Sequence, residues 1–164
     1  MGSSRAYPNR PIPGVGAVVL REVEGREIEG REIGGRIEVL LIRRKSEPMA
    51  GGWSLPGGAI ELGESIREAC VRETLEETGL TVQPLAEVEA VDIIQRDAMG
   101  RVQYHYVVVD ILCRVLGGQL LSGTDASEVA WADVRRVLEL GDFALTARAC
   151  TVIRRALIMN EGLK

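Results

Sequence analysis

The chain has 164 residues, of which 46% are hydrophobic and 27% charged, a composition that excludes a disordered or fibrous protein. Its length suits one domain, and the net charge of −4 provides no overall positive field for nucleic acid or an anionic membrane. Residues 1–11 have no apolar signal segment, and no apolar stretch is long enough to span a bilayer, so we expect a cytoplasmic protein.

Two apolar, β-rich runs, 15–20 and 37–42, predict neighbouring strands near the start of the chain. Between them, from Arg21 onward, a charged R-E-x-x-G pattern occurs three times with a five-residue step that fits no known repeat architecture. Because loop-closure entropy grows slowly with length, such an insertion is tolerated. We therefore expect residues 22–35 to form an exposed hairpin or a mobile insertion.

The rest of the chain alternates strand-like and helix-like patterns. Gly and Pro predict a loop over 48–58, helical spacing predicts helices over 65–78 and 146–159, and apolar runs predict strands over 85–92, 102–116 and 129–131, with a turn at 97–100. This order favours an α/β fold in which helices cover both faces of a mixed sheet.

The Cys and His residues give no sign of a metal site. Cys70, Cys113 and Cys150 lie far apart in apolar stretches, without a second Cys or His at ligand spacing, so we expect buried thiols. His105 is the only histidine, which excludes a multi-His metal site and leaves it a structural or substrate-contacting role.

The helix predicted over 65–78 has signals at both ends. Ser65 and Glu68 have the spacing of a capping box, and Gly79 is placed as the residue that ends the helix. A second apolar strip on this helix, formed by Val71 and Leu75, predicts that the helix is buried on two faces.

Three glutamates, Glu73, Glu76 and Glu77, continue the apolar stripe of this helix. Like charges at these spacings repel each other by about 0.2–0.5 kcal/mol per pair when exposed, and by about 3 kcal/mol if partly buried. A solvated acidic face is one interpretation. The other is a divalent cation, and carboxylates without Cys or His favour Mg²⁺ or Mn²⁺, whose coordination sphere is often shared with substrate phosphates.

The spacing of these residues resembles the signature box of the Nudix hydrolases, G-x5-E-x7-R-E-U-x-E-E-x-G-U, where U is a bulky apolar residue. Every fixed letter is present, from Gly58 and Glu64 through Arg72 and the three glutamates to Gly79. The one departure is Thr74 at the first U position, where we expect a small packing effect. The preceding W-x-x-P-G-G segment, residues 53–58, is also similar to the family.

The resemblance implies an α/β/α sandwich with a mixed sheet, as a single Nudix hydrolase domain over residues 1–164. It implies Mg²⁺- or Mn²⁺-dependent hydrolysis of a nucleoside diphosphate linked to another group. It also implies the site: Glu73, Glu76, Glu77 and the Gly57 carbonyl as metal ligands, Arg72 as the residue that orients the carboxylates, and Glu64 as a further member of the acidic group.

The residue that accepts the proton of the attacking water stays open at this stage. Glu73 and Glu77 are the first candidates, because a carboxylate close to a metal-bound water can act as its base. Members of the family sometimes place the base on a later loop, where this sequence has Asp125 and Glu128. A solvated turn is the alternative interpretation of those two residues.

The segments around 104–110, 117–118 and 125–131 look most like the small bacterial ADP-ribose pyrophosphatase-type branch, which implies cleavage of ADP-ribose to AMP and ribose 5-phosphate. Two alternatives are a pyrophosphohydrolase of oxidised or ordinary nucleoside triphosphates and a non-catalytic nucleotide-binding module. A homodimer is expected by resemblance only. The candidate substrate contacts are Arg43, Arg44, Gly58, Tyr104 and Glu128.

Overall fold

The computed structural model describes residues 5–28, 31–45, 47, 49–123 and 126–163. Its elements are β1 Ile12–Val23, β2 Arg26–Ile28, β3 Arg31–Ile33, β4 Arg36–Arg44, β5 Trp53–Ser54, β6 Gly57–Ala59, α1 Ile66–Thr78, β7 Leu80–Arg96, β8 Val102–Gly118, β9 Ala126–Asp133, α2 Val134–Glu139, a 3₁₀ turn Asp142–Ala144 and α3 Ala147–Gly162.

Seven strands form one mixed sheet in the order β5-β4-β1-β8-β7, with β6 paired to β1 and β9 paired to β4. The central pair β1 and β8 is parallel, whereas the other pairs are antiparallel. The predicted neighbours 15–20 and 37–42 do pair, with Leu20 opposite Val39. The predicted turn at 97–100 joins β7 to β8, and the Asp97 amide donates to the Arg101 carbonyl.

Between β1 and β4, the short strands β2 and β3 pair antiparallel, with Arg26 opposite Ile33. The backbone of the described part of the insertion is therefore a hairpin. Residues 29–30 lie outside the described residues. The exposure or mobility of the insertion stays a prediction.

The two faces of the sheet pack against different helices. Val18 and Leu20 of β1 contribute to one cluster of buried residues, which includes Val152 and Ile153 of α3. The alternate β1 residues, among them Val19, contribute to a second cluster with Ala69 and Cys70 of α1. Alternating side chains of one strand thus serve both layers, and the expected α/β/α sandwich is confirmed.

Helix α1 is buried on one face only, so the prediction of two buried faces is wrong. Ala69 and Thr74 are 0% exposed against the sheet, whereas Leu75 is 46% exposed on the other side. Of the predicted second strip, Val71 is half-buried against the second cluster, so Leu75 is its exposed member. Thr74 fits its buried position because its hydroxyl donates to the Cys70 carbonyl at 2.7 Å, which satisfies the polar group.

Several short elements lie where the sequence predicted a loop or nothing. The segment predicted as a loop contains β5 and β6, and the six-residue helix α2 had no sequence signal. Cys70 and Cys113 are buried as expected, while Cys150 is half-buried. Across the described residues, no helix combines the length and the apolar character that a membrane crossing requires.

Candidate active site

A cavity of about 500 Å³ lies between the three glutamates of α1 and the two glycines of β6. Its lining includes Arg44, Gly57, Gly58, Glu61, Arg72, Glu73, Glu76, Glu77 and Tyr104. The three glutamates and Gly57, expected as metal ligands, therefore line one space. Of the candidate substrate contacts, Arg44, Gly58 and Tyr104 line it as well.

The ends of α1 fix where its glutamates point. At the start, the Glu68 amide donates to the Ser65 hydroxyl at 3.3 Å and the Ser65 amide donates to the Glu68 carboxylate at 2.8 Å, which confirms the predicted capping box. At the end, Gly79 adopts φ 71° and its amide donates to the Leu75 carbonyl at 2.9 Å. The helical register between these two ends turns Glu73 and Glu77 towards β6.

The three glutamates have different surroundings. Glu77 is 5% exposed and accepts a hydrogen bond from the Gly57 amide at 2.8 Å. Burial raises the pKa of Glu73, an effect that the hydrogen bond from Arg72 opposes. Glu76 is the outer member, with 54% of its side chain exposed. The cavity thus has an inner pair of carboxylates and an outer one.

Arg72 connects the acidic residues to one another. Its guanidinium donates to both oxygens of Glu64 at 2.8 Å, to Glu73 at 2.9 Å and to Glu76 at 3.3 Å. The hydrogen bonds from Arg72 lower the pKa of Glu64 to about 2, and those carboxylates in turn raise the pKa of Arg72. Glu64 holds Arg72 in place from behind and does not line the cavity itself.

Two glycines permit the close approach of β6 to α1. Gly57 has φ 149°, and a Cβ there would collide with the Val15 carbonyl of β1. A Cβ on Gly58 would overlap the carboxylate of Glu73. Side chains at these positions would push the strand away from the glutamates.

Two of the expected substrate contacts lie elsewhere. Arg43 and Glu128 form an ion pair with each other at 2.6 Å, where the ends of β4 and β9 meet, and neither lines the cavity. This placement does not support a role for either in contacting substrate, because their charges neutralise each other. Asp125, the other loop candidate for the base, lies outside the described residues.

The donor set fits a hard divalent cation, because it consists only of carboxylate and carbonyl oxygens. Among the described residues, no three acidic, His or Cys side chains converge tightly enough to define a cation site. The hydrogen bonds already described explain this spread: Gly57 engages Glu77, and Arg72 engages Glu73 and Glu76. A divalent cation would compete with those bonds for the same oxygens.

A second cavity, of about 310 Å³, adjoins the first and shares Arg5, Arg44, Gly57 and Gly58 with it. Its lining is largely apolar and includes Met49, Trp53, Leu55, Tyr106 and Val108, together with Asp110 and Arg148. Burial raises the pKa of Asp110 to about 6, although the positive charge of Arg148 opposes this shift.

Sequence reasoning did not single out Asp110 or Arg148 as site residues, since the two are 38 residues apart and no local spacing connects them. The available signal was the position of each charge: Asp110 interrupts the apolar run of β8, and Arg148 interrupts the apolar stripe of α3.

A mixed sheet between helices, with an acidic helix held against two glycines, is the arrangement expected of one class of protein. The NUDIX domain profile matches residues 11–151, a range that contains every strand of the seven-stranded sheet and the helix that carries the three glutamates. The chain therefore belongs to the Nudix family.

Two relatives with different named activities are similar to this chain in sequence. The chain is 37% identical to the ADP-ribose pyrophosphatase of Methanocaldococcus jannaschii over 103 residues. This alignment covers 63% of the chain and 59% of that protein. The chain is also 30% identical to the 8-oxo-dGDP phosphatase of Mus musculus over 142 residues. That alignment covers 77% of the chain and 40% of the mouse protein. The chain thus spans less than two thirds of the length of either relative.

Among solved structures, the fold is similar to that of a MutT NUDIX hydrolase from Burkholderia pseudomallei, with a TM-score of 0.67 and 26% identity. The match covers 90% of this chain and 98% of that one.

Proposed function

We propose that this chain, acting as a single domain, hydrolyses the pyrophosphate bond of a nucleoside diphosphate linked to another group, with Mg²⁺ or Mn²⁺ as cofactor. The observation that carries the proposal is the cavity in which three glutamates of the Nudix box, Glu73, Glu76 and Glu77, lie together with Gly57, the residue just before the box. Water adds across one P–O–P linkage, so that the products are two phosphate esters and the proton passes to a carboxylate.

Glu73, Glu76, Glu77 and the Gly57 carbonyl would hold the cation. When bound, the cation lowers the pKa of a coordinated water and neutralises charge on the diphosphate oxygens. Arg72 restrains the glutamates through its hydrogen bonds to Glu73 and Glu76. Buried glutamates would otherwise repel each other strongly, so a fixed arginine and a cation together make the cluster tolerable.

Glu73 and Glu77 are both suited to accept the proton of the water. Each is turned into the cavity and poorly exposed, and each has an oxygen within 3 Å of one fixed donor, Arg72 for Glu73 and the Gly57 amide for Glu77. Those contacts hold the carboxylates in orientation, which a general base requires. Arg44 and Tyr104, which also line the cavity, are suited to contact the substrate.

ADP-ribose is the substrate that we propose first, with AMP and ribose 5-phosphate as products. The sequence similarity to the ADP-ribose pyrophosphatase of Methanocaldococcus jannaschii supports it. Hydrolysis of nucleoside triphosphates, including oxidised ones, to a monophosphate and pyrophosphate is the second candidate. Similarity to the putative 8-oxo-dGTP diphosphatase of Bacillus subtilis, 34% identical over 101 residues, favours testing it. These nucleotides are the partners that we propose, and the homodimer expected from the resemblance stays a prediction.

The test is product analysis with Mg²⁺ present and after chelation. We expect ADP-ribose to give AMP and ribose 5-phosphate, with turnover falling by about 10² or more in Glu73→Gln and in Glu77→Gln, because each removes a charged ligand or the base. Glu87→Gln is the control, since Glu87 is an exposed partner of Arg67 outside the site.

Wild-type turnover in both glutamine variants of the site would contradict the assigned roles. Release of pyrophosphate from triphosphates, with ADP-ribose left intact, would instead establish the second candidate. Nucleotide binding without any product, with and without metal, would contradict the enzymatic proposal as a whole.

A further inference from the structure

The second cavity is placed to receive the group attached to a diphosphate in the first. Both cavities share Gly57 and Gly58, and Arg5 and Arg44 line the two of them. The first is lined by carboxylates, whereas the second presents Trp53, Tyr106 and several aliphatic side chains. A substrate whose phosphates lie beside the glutamates can therefore extend a flat, weakly polar group into the second cavity.

Besides Arg5 and Arg44, which it shares with the first cavity, the second cavity has one charge pair in its wall. Asp110 is 1% exposed on β8, and its carboxylate accepts a hydrogen bond from a terminal nitrogen of Arg148 on α3. Gly16 lies directly across from Asp110 on β1, and a Cβ there would collide with the Asp110 carboxylate. The absence of a side chain at Gly16 thus makes room for the buried acid.

Arg148 has a donor that the protein leaves unused. Among the residues that the structure describes, its Nε is the one buried side-chain nitrogen or oxygen without a hydrogen-bond partner. This nitrogen is closed to solvent, so bulk water supplies no acceptor for it, while 31% of the Arg148 side chain as a whole is exposed. Buried donors in native proteins normally have partners, and a shift of the guanidinium towards an acceptor in the cavity would satisfy this one.

The chemistry of the pair indicates what that ligand is. Asp110 and Arg148 neutralise each other, so their part of the wall attracts a neutral hydrogen-bond acceptor more than an additional anion. Aromatic and aliphatic walls match the faces of a heteroaromatic ring, whose edge nitrogens or carbonyls are acceptors. A sugar phosphate has no flat apolar face to pack against the rings of Trp53 and Tyr106.

We propose that Arg148 contacts the base of the nucleotide substrate and donates a hydrogen bond to an acceptor on its edge, and that Asp110 positions Arg148 for this contact. The proposal rests on the proposed function in taking the substrate to be a nucleotide. It adds which end of the substrate enters the second cavity and which residue determines specificity for it.

The first experiment measures binding without turnover, in the presence of a chelator. AMP, GMP, UMP and ribose 5-phosphate are titrated into the protein by calorimetry. We expect at least one nucleoside monophosphate to bind more tightly than ribose 5-phosphate, and Arg148→Met to weaken that nucleotide about tenfold while ribose 5-phosphate is unaffected, since a hydrogen bond from a charged donor is lost.

Arg155→Met is the matched control, because Arg155 also joins α3 to the sheet through an ion pair, with Glu89, but lines neither cavity. Asp110→Asn keeps the shape of the acid and should weaken nucleotide binding less than Arg148→Met does. Arg148→Met alone leaves Asp110 buried without its partner. The double variant Asp110→Asn/Arg148→Met removes both charges of this pair and should bind the nucleotide as weakly as Arg148→Met does.

A second experiment locates the hydrogen bond on the base. If AMP is the tightest ligand, its 1-deaza, 3-deaza and 7-deaza analogues each replace one ring nitrogen with carbon. We expect one analogue to bind wild-type protein about tenfold more weakly than AMP and to bind the Arg148→Met protein as well as AMP does. For GMP or UMP, the matching deaza or deoxo analogues serve.

Three results would overturn the proposal: no monophosphate binding more tightly than ribose 5-phosphate, equal weakening of both ligand types in Arg148→Met, or analogues that all bind like the parent nucleotide. The outcome is separable from the proposed function. Arg148-dependent binding of a nucleotide that is never cleaved supports this inference and contradicts the hydrolase proposal. Cleavage of ADP-ribose, together with unchanged nucleotide affinity in Arg148→Met, supports the hydrolase proposal and contradicts this inference.

Discussion

Glu38 illustrates at the residue scale how this protein accommodates charge inside its sheet. It is 5% exposed on β4, and its two carboxylate oxygens accept hydrogen bonds from Arg21 and Arg36 at 2.6 to 2.9 Å. Burial pushes its pKa upward, but the hydrogen bonds and positive charges of the two arginines outweigh burial, so the pKa is lowered. The arginines reach out to solvent and thus neutralise a carboxylate that lies below them.

Replacing this acid should cost stability in a pH-dependent way. A carboxyl group whose pKa is lower in the folded chain stabilises it above the unfolded pKa of about 4.3, and that contribution is lost as pH falls. We therefore expect Glu38→Gln to lower the free energy of unfolding by about 1–2 kcal/mol at pH 7 and by clearly less at pH 3. Urea denaturation at both pH values measures this difference. An equal loss at pH 7 and pH 3 would contradict the assignment.

Which individual site residues are predictable depends on how far apart their partners are in sequence. The acidic stripe of α1 follows from helical spacing, and the role of Arg72 beside it was expected from the resemblance to the Nudix box. The pairing of Arg43 with Glu128 depends on the register between β4 and β9, which no local pattern specifies. The contact of Asp110 with Arg148 likewise requires the packing of α3 on the sheet.

Helix α1 shows the same division at the scale of an element. Its two ends were predicted correctly because caps are local hydrogen-bonded motifs with characteristic residues. The number of its buried faces was predicted wrongly, because apolar residues such as Leu75 also occur on exposed surfaces. Periodicity shows where the apolar stripes lie on a helix but not which of them another element covers. Thr74, the departure from the family pattern, is accommodated by a hydrogen bond within the helix.

The cap at Ser65 provides a test of how much the start of this helix contributes. Ser65→Ala removes the hydroxyl that accepts from the Glu68 amide, and we expect the free energy of unfolding to fall by about 1 kcal/mol. The control is Ser127→Ala, which removes an exposed hydroxyl that donates to the Arg43 carbonyl and should change stability by less than about 0.5 kcal/mol. Equal effects of the two variants in thermal unfolding would contradict the role of the cap.

For the whole molecule, the sandwich is predictable from the alternation of strand and helix patterns, because both faces of a mixed sheet need cover. The order of the strands in the sheet is harder to predict from the sequence. The parallel pairing of β1 with β8 brings residues 94 positions apart into register, such as Gly16 opposite Asp110, and only the assembled sheet reveals it. That pairing creates the wall of the second cavity, which explains why the sequence indicated the acidic cavity and not its neighbour.

The central claim is that the carboxylates of α1 hold a divalent cation, and Mn²⁺ binding followed by electron paramagnetic resonance tests it without any substrate. The unchanged chain should bind Mn²⁺, and affinity should fall by about tenfold or more in Glu77→Gln, with Glu87→Gln binding as the unchanged chain does. Affinity that is the same in all three proteins, or no Mn²⁺ binding by the unchanged chain, would contradict the claim.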